Sequence, residues 1–219
     1  MVPGGQPRET VLSTSEDRSR FRRHIENRLA DAVLRVPIDV REELYVVGLW
    51  LAPELRDERR VTATMGWNTI SDLRRRAAGD PGAALFEWSV GNFVQPTAAV
   101  VADTLTDPPG AELRRRWLES EGLWYPDDRG DLAVTEEDPE IWDQFLALMV
   151  DIVRDWHASG ELSRAVGRDV PVFLDAMGED EDAIRELNRA ANPPSLHALV
   201  DRWSTKPVGA AQLNLLKQL

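Results

Sequence analysis

Three histidines, 38 acids and no cysteine limit the chemistry open to this 219-residue chain. The histidines are His24, His157 and His197. None has a second histidine three or four residues on, so no two-histidine helical metal site is written here. Each reads as a surface or boundary residue. The lack of cysteine removes thiol nucleophiles, disulfides and cysteine-ligated zinc or iron–sulfur centres. Lysine occurs only at Lys206 and Lys217, leaving no internal amine nucleophile. There is no Gly-x-Ser-x-Gly elbow, no phosphate-binding Gly-x-x-x-x-Gly-Lys, no Gly-x-Gly-x-x-Gly and no Asp-x-Asp-x-Asp-Gly calcium loop. Carboxylate pairs are plentiful, as in Asp127–Asp128 and the run Glu179 to Asp182. Such pairs can hold a divalent cation or act as the acid and base of a hydrolase. Here they fall in turns and at helix starts, where dipole matching and solubility account for them. The sequence therefore nominates no catalytic residue, metal or cofactor.

Binding chemistry is better represented. The chain has eight tryptophans, most of them on apolar stripes that predict core packing. Trp67 and Trp124 instead adjoin predicted turns. With Tyr125, Asp127, Asp128 and Asp131 they form the candidate partner-binding set, because an exposed tryptophan among acids resembles a protein hot spot. The net charge is -12. That balance disfavours nucleic acid, whose phosphates need clustered positive charge, and leaves a basic protein as the expected partner. No run approaches the roughly 20 apolar residues that span a bilayer, so no membrane is expected. A cytoplasmic setting fits the absence of cysteine.

These residues must be positioned by a small sheet and several helices. Leu44 to Leu51 is β-branched, aromatic and nearly uninterrupted; Val61 to Trp67 alternates apolar and polar. The polar break between them predicts an antiparallel hairpin. Further strands are expected at 170–174 and at 85–91, where Phe86, Trp88 and Val90 alternate; a helix fits that second stretch as well. Pro171 belongs at a strand start or on an edge. The apolar, alanine-rich stretch from Thr97 to Leu105 is broken by Asp107, Pro108, Pro109 and Gly110 and carries no assigned element. Ser15 is a candidate cap for a helix to Val36 striped by Phe21, Ile25, Leu29, Ala32 and Val33. The strongest helix runs from Pro139 to Ser159, with Trp142, Phe145, Met149, Ile152 and Trp156 at spacings of three and four. The fold class is α+β: a mainly antiparallel sheet of three to five strands packed against helices. The expected organisation is a flexible leader at 1–15, one domain at 16–204 and a leucine-containing tail at 205–219.

Several segments together resemble a family of small, uncharacterised bacterial proteins of the immunity or antitoxin-like kind. They are Leu44-Tyr45-Val46-Val47-Gly48-Leu49-Trp50, Gly66-Trp67-Asn68-Thr69, Glu121-Gly122-Leu123-Trp124-Tyr125, Gly167-Arg168-Asp169-Val170-Pro171-Val172 and Arg189-Ala190-Ala191-Asn192-Pro193-Pro194. The likeness extends over about residues 20–204 and departs around Trp88. No matching piece is a catalytic signature. The resemblance implies a shared architecture and little else; the acids at 127–138 and 175–182, with nearby aromatics as anchors, make a non-enzymatic module that occludes a toxin-like basic protein the first expectation for function. Two other readings stay open at this point: a metal- or carboxylate-dependent hydrolase, and an assembly protein that oligomerises through its tail.

Overall fold

The computed structural model describes residues 10–79, 93–125 and 139–203. The 85–91 segment, the acidic stretch after Tyr125 and the tail lie outside these residues. The chain order is α1 (Thr10–Arg35), α2 (Ile38–Arg41), β1 (Leu44–Pro53), β2 (Val61–Thr69), α3 (Ile70–Gly79), β3 (Val94–Val101), α4 (Pro108–Ser120), α5 (Pro139–Ser159), α6 (Glu161–Val166), β4 (Val172–Ala176), α7 (Glu181–Ala191) and α8 (His197–Trp203). The four strands form one sheet in the order β3-β2-β1-β4. β1 pairs antiparallel with β2, and β2 with β3, while β1 pairs parallel with β4. The fold is thus α+β, with a mixed sheet in which antiparallel pairing predominates.

The expected hairpin is present, registered from Val47↔Trp67 to Pro53↔Val61. β2 continues two residues beyond Trp67, and Thr69 then caps α3 by accepting from the Asp72 N–H at 3.1 Å. Side-chain alternation divides the sheet into two faces. Val47, Leu49, Leu51, Ala63, Met65, Val172 and Leu174 join the main core with the α1 and α5 stripes. The α1 stripe from Phe21 to Val36 is at most 1% exposed. Phe21 stacks on Trp117 of α4, with ring centroids 5.5 Å apart. On the opposite face, Val46, Phe93 and Phe173 form a smaller cluster with Ile184 and Leu199.

Three elements differ from the sequence reading. α1 begins at Thr10, ahead of the Ser15 cap expected from the sequence. β3 occupies the alanine-rich stretch, which its Pro96 and its alanines disguised; proline is tolerated there because β3 is an edge strand. Pro108 and Pro109 do not break the chain but open α4, behind an Asp107 cap that accepts from the Gly110 N–H.

The other edge strand, β4, is closed by a helix. Asn188 accepts from the Leu174 N–H at 2.7 Å and donates to the Leu174 carbonyl at 2.8 Å. Asn192 does the same for Val172, at 2.9 and 2.8 Å. The spacing explains the fit: four helical residues rise about 6 Å, close to the roughly 6.6 Å repeat of outward-facing groups on a strand. Two side-chain amides therefore stand in for a fifth strand and remove an edge that would otherwise template association.

Candidate functional site

The residues nominated from sequence have mixed fates. Trp67 was expected near the surface; it is 5% exposed and packs in the main core. The strand does not turn where the sequence suggested, so this indole is no surface anchor. Trp124 and Tyr125 follow α4, are half-buried and pack against the same core. Both embrace a residue the sequence did not single out, Arg59, which is 5% exposed. Its guanidinium carbon lies 4.4 Å from the Tyr125 ring centroid and 5.5 Å from that of Trp124. Arg59 also donates to the Tyr125 carbonyl at 2.5 Å and grips both oxygens of Asp57 at 2.9 and 2.8 Å. Burial pushes the Asp57 carboxyl up, but the hydrogen bonds and charge of Arg59, aided by Arg60, outweigh it and hold the group below the usual carboxylate range. Asp127, Asp128 and Asp131 lie outside the described residues.

The histidines make structural bonds. His24 Nε2 lies 2.8 Å from Asp107 Oδ2, and that same oxygen accepts from the Ala102 N–H at 2.9 Å. His157 Nε2 donates to Asn192 Oδ1 at 3.1 Å, steadying the amide that closes β4. Burial lowers the His157 pKa, only partly offset by that bond and by the charge of Asp169. His197 Nε2 donates to the carbonyls of Arg189 and Asn192 at the end of α7, at 3.1 and 3.0 Å. His157 and His197 line a cleft of about 510 Å³ together with Arg154, Asp169 and Arg189. Its charges are engaged internally: Arg189 forks Asp201 at 2.7 Å through two nitrogens, Arg154 reaches Asp151 and the Ala190 carbonyl, and Asp169 accepts from Ser163. Among the described residues no three His, Asp or Glu side chains are grouped as metal ligands.

The unbalanced site lies where β1 and β4 end together. Trp50 of β1 is 41% exposed and stands in register with Asp175 of β4. Met177, just beyond, is 46% exposed, and its N–H is held by the Leu51 carbonyl at 2.9 Å. From Asp175 to Asp182 the chain carries five acids and no base. Some have local work: Glu179 accepts from Trp142 Nε1 at 2.9 Å, Asp180 caps α7, and Asp182 pairs with Arg185. The Trp142–Glu179 bond also brings the start of α5, with Glu140 and Asp143, to the same end. Asp175 is different. It is half-buried, and among the described residues nothing donates to it or pairs with it. Burial alone pushes its carboxyl up, with no opposing charge. Sequence reading missed Trp50 because it sits within the nearly uninterrupted β-branched and aromatic run from Leu44 to Leu51. The signal was Asp175, a carboxylate inside an apolar strand with no base near it in the chain. Compared with known proteins, the chain matches no family model, no curated protein and no solved structure.

Proposed function

We propose that the protein is a non-enzymatic binding module that captures a basic partner protein, in the manner of an immunity or antitoxin-like protein occluding a cationic toxin. One observation carries this reading: the base-free acidic turn at 175–182 sits beside two large apolar side chains, Trp50 and Met177, that the fold leaves in solvent. Apolar anchors supply contact area once partners meet, and surrounding like charge steers the encounter and rejects acidic competitors. Asp127, Asp128 and Asp131 add three further acids to the chain's net negative charge. An exposed surface acting through charge must be salt-sensitive, since screening at physiological ionic strength sets in over about 8 Å.

The test uses an arginine-rich peptide as probe. Its affinity for the full chain is measured by calorimetry at rising sodium chloride, beside two charge variants: Glu181→Gln with Asp182→Asn, and Asp127→Lys with Asp128→Lys and Asp131→Lys. The reading expects both variants to bind more weakly and to show a flatter salt dependence. Unchanged affinity in both would refute it.

A further inference from the structure

Resting on that reading, we infer that Trp50 and Asp175 together form a receptor for one arginine side chain of the partner protein, the guanidinium stacking on the indole while the carboxylate takes its N–H groups.

The register supplies the geometry. Trp50 and Asp175 are direct neighbours on adjacent parallel strands, so their side chains rise from the same face of the sheet about 4.8 Å apart at the backbone. On the other flank Trp50 is paired with Thr64, which is uncharged. The indole therefore has a carboxylate on one side only, and it is accessible to solvent. A half-buried carboxylate has lost part of its hydration, and no donor among the described residues replaces it. The same strand shows that this is not loose construction: one and three residues earlier, at Leu174 and Val172, buried polar groups are met one for one by Asn188 and Asn192.

The molecule also contains a completed example of the chemistry. At Arg59 a guanidinium lies over aromatic rings and forks a carboxylate, using the same ingredients. At Trp50 and Asp175 the ring and the carboxylate are in place, and none of the described residues supplies the cation. Arginine suits such a place better than lysine. Its planar, weakly hydrated head can stack and form two parallel hydrogen bonds at once, whereas an ammonium is a compact and strongly hydrated charge.

The experiment labels the full chain with 5-fluorotryptophan and assigns the Trp50 ¹⁹F signal by its disappearance in Trp50→Phe. An arginine-rich peptide and a lysine-rich peptide of equal length and charge are then titrated in. The Trp50 signal should shift saturably with the arginine peptide, which should bind about tenfold more tightly than the lysine peptide. Asp175→Asn, confirmed as folded by its melting curve, should lose about tenfold in affinity and most of the arginine preference. If both peptides bind equally while the Trp50 signal stays fixed, the arginine receptor is wrong and the acidic binding surface survives. If neither peptide binds, both the receptor and the binding reading fall.

Discussion

Two places in this molecule set aromatic rings beside a carboxylate, and they are in opposite states of completion. At the hairpin turn, Asp57, Trp124 and Tyr125 close around Arg59, which is nearly sealed from solvent. At the end of β4, Asp175 and Trp50 stand open, with no cation from the described chain. The first site fastens the segment after α4 to the hairpin. The second leaves a charge partly desolvated and an indole in water, at a cost to stability that packing alone would have avoided. The difference separates groups that hold the fold from groups free to meet something else.

Five substitutions bear on the contrast, taken broadly from the largest effect to the smallest. Arg59→Ala leaves Asp57 with Arg60 alone, 3.2 Å away, and empties the aromatic clasp; losing the buried member of the pair should lower stability by about 3 kcal/mol. A denaturation midpoint close to that of the parent chain would show that the clasp is ornamental. Asn188→Ala leaves the Leu174 N–H and carbonyl without their partners and should cost about 1–3 kcal/mol for each stranded group. Hydrogen exchange should report it first at Leu174, and protection there equal to that of the parent would contradict the clamp.

Asp175→Asn should act in the other direction. The folded-state value of this carboxyl lies above its unfolded one, so the native state holds its proton to higher pH. Its contribution favours folding in acid and is lost as pH rises through the folded value. At neutral pH the ionised group opposes folding, and the amide should raise stability by about 0.5–1 kcal/mol. That gain should shrink as the pH falls toward 3.8, the ordinary value for the group. Asp57 gives the mirror image. Its folded value is lowered, so its stability is present above the unfolded value and lost as pH falls through the folded one. Asp57→Asn should therefore destabilise at neutral pH, and a common sign for the two variants would collapse the comparison. Trp50→Ala should be smallest, within about 0.5 kcal/mol, because much of the indole is already in water. A large loss there would make Trp50 a structural residue.

The sequence disclosed what depends on local pattern. The hairpin, the α1 and α5 stripes and Pro171 at the start of an edge strand all follow from periodicity and backbone limits. It did not disclose what depends on pairing at a distance. β3 mixes valines with Gln95, Pro96 and two alanines, so its pattern is interrupted, and it holds its place through β2. Asn188 and Asn192 look like ordinary helix and turn residues until β4 lies beside them. Trp67 was misjudged because β2 runs two residues further than its alternation suggested. Arg59 was unremarkable in a charged turn, although it organises both Trp124 and Tyr125. Asp175 and Trp50 are far apart in the chain and become neighbours only through a parallel pairing that neither segment encodes alone.

The most direct measurement compares two properties of one variant. Asp175→Asn and the parent chain are titrated with the same arginine-rich peptide at neutral pH and melted under the same conditions. The account predicts a variant that melts higher and binds about tenfold more weakly. A variant that binds as tightly as its parent would contradict it.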